Sequence, residues 1–474
     1  MPNSGLISTN NRVVILGAGV CGLYAGLELS SAGVPVTVIE RETSPGGLAA
    51  GLKRGQNYYD LGVHMLHGFD REILHRIRQL MGSESIPVEL NAKIRWVGRD
   101  FRYPLQFKDM VSGVPPLVLA RCITGLLVAE AKNRMNKVEP ANAEEALIQL
   151  YGRPLYGFFF EQFTTRYWGT PCARLSAAFI KAKMPRLAVR DMVLNVLQKT
   201  GFINKPDFGV ASALADETLY YSPSGAEAMP RNLAESIRKA DGEVLLGHSV
   251  SGLNMLGPNG PFRVVFNDRT GRRYQRDFSH CISSIPLPRL VEVINPAVPP
   301  SVRDAARRLK YRSIVIYGLL VRKRTALDAL YVYYRNRIFH RIGEPKNAGM
   351  QTCPADHTVL IVEMTCDIGD GRWTGDADTK KQLFDELEEE GVCTADQIVE
   401  QHILRCPEGY PIFVLGFERH LRTVVDYLDS VTTLRSTGRQ GAFCYPNMHG
   451  AMRMGADAAR SILDQLTTVE RNAG

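Results

Sequence analysis

Residues 12–40 read RVVILGAGVCGLYAGLELSSAGVPVTVIE. A continuous apolar run leads into Gly17-Ala18-Gly19-Val20-Cys21-Gly22, an Ala- and Leu-rich stretch follows, and a second apolar run ends on an acid. The order predicts strand, glycine turn, helix and strand, a complete βαβ unit. Gly17 permits the tight turn, Gly19 lets the backbone approach a pyrophosphate, and Gly22 lets helix and strand pack closely. The helix N-terminus offers free amides and positive partial charge. Glu40 stands eighteen positions after Gly22, at the end of the second strand, where a carboxylate can accept both hydroxyls of a ribose. Together these features predict a dinucleotide site on an α/β fold with a Rossmann-like sheet.

Two further segments bear on which dinucleotide. Arg41-Glu42-Thr43-Ser44-Pro45-Gly46-Gly47-Leu48-Ala49 brings a second glycine pair directly after the ribose acid. Near the other end, Ser436-Thr437-Gly438-Arg439-Gln440-Gly441 runs through Tyr445 to Asn447-Met448-His449-Gly450 and a helix expected over 451–466. A glycine-bounded loop entering a helix N-terminus suits an anion or a flavin carbonyl. The first segment resembles the FAD-binding extension shared by flavin amine oxidases, protoporphyrinogen oxidases, carotenoid desaturases and UDP-galactopyranose mutases, whereas NAD dehydrogenases are not expected to carry the pair. In those families a late segment of the second form closes the cofactor site. The resemblance implies FAD, held by Gly17, Gly19, Gly22, Glu40, Arg41, Gly46, Gly47, Leu48, His64, Val250, Gly438, Arg439, Asn447 and Met448. It also implies a binding domain discontinuous in sequence, 12–100, 213–300 and 415–466, with a helical substrate domain at 101–212, a sheet-containing one at 301–414, and tails at 1–11 and 467–474.

The 474 residues are 45% hydrophobic, ample for a large core, and carry a formal charge of +8. That charge suits a negative partner, but the densest basic run is only Arg322-Lys323-Arg324, so a nucleic-acid stripe is not expected. Nine scattered cysteines without a CxxC pair indicate neither a disulfide framework nor a zinc site, and a reducing, cytoplasmic setting fits. The apolar run 114–130 contains Pro115, Pro116 and Arg121 and is expected as a buried helix, not a membrane span.

In the middle of the chain, Asn142 with Glu145 predicts a capping box opening a helix that ends at Gly152. Strands are expected over 243–253, 262–266 and 312–321, and at 281–286. Between them, FFFEQFTTRYWGTP, 158–171, packs six aromatic rings into eleven residues yet includes Glu161 and Arg166. Such a cluster suits a pocket for a ligand with both flat and charged parts, and Phe158, Phe159 and Phe160 are expected in the core.

Several segments, in order, resemble UDP-galactopyranose mutase. Tyr59-Asp60-Leu61-Gly62-Val63-His64 resembles the segment whose histidine lies beside the flavin's reactive edge, and Arg102-Tyr103-Pro104 a tyrosine-proline corner. Gly152-Arg153-Pro154 through Trp168-Gly169 resembles the stretch whose tryptophan faces uridine and sugar. Arg341 and Tyr410 match an arginine and a tyrosine that contact the diphosphate, and Arg439 with Tyr445 matches the closing flavin motif. The sequence departs in four places: Phe163 replaces a tyrosine, Lys183 stands nearest to a mobile-loop arginine, Pro223-Ser224-Gly225-Ala226 is a reduced glycine segment, and Asn447 replaces an aspartate. Lysine keeps the charge of arginine but not its planar two-point contact. The resemblance implies ring rearrangement or epimerisation of a nucleotide sugar, with N5 of reduced FAD as nucleophile and NAD(P)H as a conceivable reductant. His64, Arg341 and Tyr445 would lie nearest the chemistry, with Phe163, Trp168, Lys183 and Tyr410 on the substrate. The alternative is an FAD-dependent oxidoreductase of the amine oxidase or protoporphyrinogen oxidase kind, with Phe443 and Tyr445 flanking the flavin. Either enzyme is compatible with a homo-oligomer.

Overall fold

A computed structural model describes residues 11–96, 98–103, 109, 113–135, 138–183 and 218–473. Pro104, Met184 and Pro185, and the side chain of Lys183, lie outside the described residues.

The strand Val13–Leu16 is fully buried and sits at the centre of a five-stranded parallel sheet. Its neighbours are Val36–Ile39, then Glu243–Leu245, on one side, and His280–Ser283, then Leu434–Ser436, on the other. Strands from both ends and the middle of the chain thus share one sheet. Burial on both faces explains why they read as unbroken apolar runs. The helix Val20–Ser31 packs against the last helix, Met448–Ala473, which continues beyond the 466 expected from sequence into the stretch expected as a tail.

Ahead of this layer lies a mixed seven-stranded sheet in the order Ile398–Ile412, Lys310–Val321, Thr358–Cys366, Arg341–Gly343, Tyr331–Tyr334, Ala92–Trp96, Arg99–Tyr103. The hairpin 92–103 straddles the boundary drawn at residue 100 and joins this sheet through Tyr331–Tyr334. Its register lines up one transverse row: Leu404, Ile316, Glu363, Arg341 and Tyr333 are successive cross-strand neighbours. That row floors the candidate site.

Two expectations require correction. The run 243–253 is not one strand: Glu243–Leu245 ends in the parallel sheet, the chain turns at Gly247 with φ +70°, and Ser249–Met255 starts in a separate four-stranded sheet. β-branched composition marks strands but not the sheet each joins. The run 114–130 forms a surface helix, Pro116–Met135, burying only Cys122, Leu126 and Ala129 while Leu117, Leu127 and Val128 are exposed. Apolar content alone did not reveal which face is covered. No helix among the described residues is long and apolar enough to cross a membrane.

The expected side-chain cap forms, but the reciprocal half of the box shifts by one residue, from the amide of Asn142 to that of Ala141. Asn142 accepts the amide of Glu145 at 2.9 Å, and Glu145 turns back to accept the amide of Ala141 at 2.9 Å, opening the helix Ala143–Tyr151. Asn142→Ala is expected to lower the unfolding free energy by about 1 kcal/mol. Urea denaturation checks this, and an unchanged midpoint would contradict it.

Candidate active site

The glycine turn is built as a cradle. Gly17 takes φ +96°, a left-handed value that favours glycine, and a Cβ on Gly22 would collide with the carbonyl oxygen of Gly17. Open space lies beside Gly19, and the helix it begins has no side-chain cap and no acid in its first turn. Its N-terminal amides are therefore left for an anion. The amide of Gly46 donates to Ala18 at 2.7 Å, bringing the second glycine pair against the first turn. Glu40 accepts the amides of Ala18 at 2.7 Å and Glu42 at 2.9 Å, which fixes its carboxylate at the strand end. The amides of Gly247 and His248 donate to Glu42 and Glu40, so the start of the Val250 strand docks beside this acid. Arg41 turns its side chain to Glu42 and Glu408. These groups fit a dinucleotide such as FAD, whose pyrophosphate and ribose end Gly17, Gly19, Gly22 and Glu40 would hold.

At the far end, Leu48, Leu61, Gly62, His64, Ile314, Ile316, Arg341, Glu363, Cys406, Tyr410 and Arg439 line one pocket. Leu48 and the loop with His64 belong to the cradle side; the others except Arg439 stand on the seven-stranded sheet. Glu363 is 1% exposed and binds Arg341 through two parallel contacts, Nε at 2.7 Å and Nη2 at 2.8 Å. It also accepts the amide of Val63 at 3.1 Å and lies 3.4 Å from Nε2 of His340. Burial pushes its carboxyl up, but the guanidinium of Arg341 and the ring of His340 outweigh burial and hold it well below the usual carboxylate range. Burial and the charge of Arg439 push His64 down to about 4, so its ring is neutral at pH 7. Its Nδ1 is buried without a partner.

Aromatic rings form the wall above. Tyr410 and Tyr445 stack with centroids 5.4 Å apart, and Arg439 lies 5.0 Å from the centroid of Tyr445 while donating to the carbonyl of Pro446 at 2.6 Å. Trp168 is 2% exposed and packs edge-on against Tyr410 and Tyr445, so it buttresses the tyrosine pair from behind. Phe163 stacks on Tyr167, 5.7 Å away, and approaches Tyr333 at 6.4 Å. The aromatic run begins as a π-helical turn, Tyr156–Phe160, and continues as the α-helix Glu161–Trp168. Of the phenylalanines expected in the core, Phe160 is buried and Phe158 and Phe159 are half-buried. The charges within the run point elsewhere: Glu161 is exposed, and Arg166 donates to the carbonyls of Arg337 and Tyr334. Asn447 is exposed, and with Met448 it forms the entry to the last helix. Phe443 does not flank the pocket with Tyr445, because it is 1% exposed and packed among Phe413, Phe417 and Tyr311.

Sequence reasoning missed Glu363, Tyr333 and His340. Glu363 had a signal: it is the lone acid in the otherwise uncharged stretch TVLIVEMTC, where an unneutralised carboxylate would be costly. A larger open cleft lined by Glu89, Asp100, Asp328 and Glu390 opens beside Val332 and gathers none of the expected site residues.

Two outcomes check this geometry. Gly22→Val should yield protein without the yellow flavin absorbance, and a fully flavinylated variant would contradict the cradle. His64 has a depressed pKa, so the stability it contributes is complete above about 6.5 and is lost as pH falls toward about 4, where the folded ring is forced to charge. Asp60, raised by burial to about 7, acts with the opposite sign over 3.8 to 7, so the comparison must be between wild type and His64→Gln. Wild type should lose more melting temperature between pH 6.5 and pH 4 than the variant, and parallel curves would contradict the assignment.

Residues 20–387 match the model of the flavin containing amine oxidoreductase family. Over 192 residues the chain is 26% identical to a probable UDP-galactopyranose mutase of Klebsiella pneumoniae, an alignment covering 39% of this chain and 48% of that protein. It therefore spans about half the length of that curated relative. The fold is similar to the crystal structure of reduced UDP-galactopyranose mutase, with a TM-score of 0.79, 18% identity, and coverage of 97% of this chain and 95% of that one. It is also similar to cyclohexylamine oxidase from Brevibacterium oxydans IH-35A, with a TM-score of 0.64, 15% identity, and coverage of 97% and 100%. At these identities the structural likeness shows the fold alone: an α/β flavin amine oxidase-like fold with a parallel sheet and additional mixed sheets. The match over 20–387 shows that the chain belongs to the flavin containing amine oxidoreductase family, a membership that implies an FAD-dependent enzyme.

Proposed function

We propose that the protein is a mutase that rearranges the sugar of a nucleoside diphosphate sugar. The observation that carries this reading is the charge of the pocket. Its one lining acid, Glu363, is matched by the guanidinium of Arg341, so Arg439 and Tyr410 line the pocket with no free carboxylate beside them, and Tyr445, stacked on Tyr410, shares with it a hydrogen-bonding neighbour in Tyr167. A diphosphate suits that arrangement, whereas a protonated amine would find no counter-charge. The displacement of Phe443 into the core removes the second ring on which an amine oxidase reading rested.

When bound, FAD in its reduced form supplies the nucleophile that displaces the nucleotide from the sugar. The chain's own groups do the rest. Burial and the neighbouring phenol push the hydroxyl of Tyr445 well above its usual range, so it stays a protonated donor at neutral pH. Burial also raises the hydroxyl of Tyr410 above its ordinary value. Both hydroxyls, with Arg439, would hold the leaving diphosphate and stabilise the charge it gains. Neutral His64 can accept or donate one hydrogen bond at the cofactor edge without adding charge. Phe163, Tyr167 and Tyr333 would exclude water and orient the sugar.

Flavin and tryptophan fluorescence, followed while UDP and then dTDP are added to the oxidised and the reduced holoenzyme, test this reading. Saturable binding, tighter for one nucleotide and weakened at least about tenfold by Tyr445→Phe, is expected, because a hydrogen bond to a charged group contributes about 1.5–3 kcal/mol. Arg341→Ala is a poor probe, since it would strand Glu363 as an unpaired buried charge. No response from either redox form would overturn the mutase reading.

A further inference from the structure

Among the described residues, no carboxylate pairs with the charge of Arg335. This residue directly follows the strand Tyr331–Tyr334, is 6% exposed, and has Nε and Nη1 buried with no hydrogen-bond partner. Its guanidinium lies 4.5 Å from the ring centroid of Trp96 and 5.6 Å from that of Phe159. Burial pushes it down to about 10, with no carboxylate acting against that shift. The charges next to it are also positive. Arg166, close enough to be affected by Arg335 and Arg372, spends its donors on backbone carbonyls, and Arg372 donates to the carbonyl of Thr365. Glu386 is the acid acting on Arg166, and it already accepts the amide of Ile338 at 2.5 Å.

The position of Arg335 ties it to the site described above. Alternation along the strand places Tyr331 and Tyr333 on one face, and Arg335 follows directly after the strand ends at Tyr334. Arg341 lies over the rings of Tyr331 and Tyr333, at 5.5 and 5.6 Å. Phe159 and Phe163 of the aromatic run meet Arg335 and Tyr333 respectively. Contacts therefore run from Arg341 through Tyr333 and Phe163 along the aromatic run to Phe159, Trp96 and Arg335.

Stacking on aromatic rings contributes at most a modest part of what a buried guanidinium loses with its hydration and hydrogen bonds. A fold that keeps such a group has a use for it. A neutral carbonyl would satisfy a donor but leave the charge, whereas an oxyanion satisfies both. We propose that Arg335 is a ligand-recognition residue that binds an oxyanion, a phosphate or a carboxylate, carried by the end of the substrate that lies against Trp96 and Phe159. This rests on reading the same pocket as the substrate site.

The test uses wild-type holoenzyme, Arg335→Met and Arg335→Lys, with inorganic pyrophosphate and malonate as probes, each titrated against sodium chloride of equal ionic strength. In chloride alone, Arg335→Met should melt higher than wild type, because an uncompensated buried charge is replaced by an apolar chain of similar length. Affinity for at least one probe should fall about tenfold or more in Arg335→Met and less in Arg335→Lys. Loss for pyrophosphate alone assigns a phosphate, and loss for malonate alone a carboxylate. A lower melting temperature for Arg335→Met, or affinities for both probes within about twofold of wild type, would overturn the proposal. The UDP response at Tyr445 is a separate readout. Its absence with an intact anion response at Arg335 discards the mutase reading alone, and the reverse discards this inference alone.

Discussion

The pairing of Arg341 with Glu363 is the interaction on which the site depends. The two residues face each other across neighbouring strands, so the sheet itself sets their two-point contact. The carboxylate then holds more than its partner. By accepting the amide of Val63, it ties the loop carrying His64, from the cofactor side, to the substrate sheet. Through Arg341 it fixes the guanidinium over Tyr331 and Tyr333. Breaking such a buried pair from one side typically costs about 3–5 kcal/mol, because the remaining charge has no solvent to return to. The same pairing matches the one acid that lines the pocket, and Arg439 and Tyr410 stand beside it in the lining.

This arrangement explains how one fold can serve different chemistries. The cradle around Gly17, Gly22 and Glu40 would hold a cofactor by backbone geometry, which any member of the fold can use. On the proposed reading, selection would fall where the seven-stranded sheet meets the aromatic run. There the π-helical turn at Tyr156–Phe160 precedes the helix whose Phe163 and Tyr167 face the sheet row, while Trp168 supports Tyr410 and Tyr445. A wall of rings with cations among them favours a flat, anionic ligand.

The cofactor half was legible in the sequence because its signals are local. Gly17, Gly22 and Glu40 lie within one βαβ unit, and Asn142 and Glu145 form their cap within a single turn. On the seven-stranded sheet and the closing segment, the sequence pattern singled out Tyr410 and Arg439, which the fold brings to one pocket. Glu363 and Arg335 depend on register between distant strands: nothing local shows that 363 pairs with 341, or that 335 lies over Trp96. The division of 243–253 between two sheets and the exposure of the helix Pro116–Met135 are likewise tertiary outcomes, set by what packs on each face and not by composition. Trp168 shows the converse. Its motif pointed to a stacking surface for the ligand, whereas the buried ring packs edge-on against the tyrosine pair.

The central claim is that the pocket rearranges an anionic sugar nucleotide without net oxidation. The most direct measurement is the electron balance of the chemically reduced holoenzyme incubated anaerobically with UDP-galactopyranose and, separately, UDP-galactofuranose or another nucleotide sugar that binds. The account expects an isomeric product to accumulate over many turnovers while the flavin spectrum stays reduced and no acceptor is consumed. Product formed only in step with reduction of an added acceptor by the enzyme would contradict it and identify an oxidoreductase.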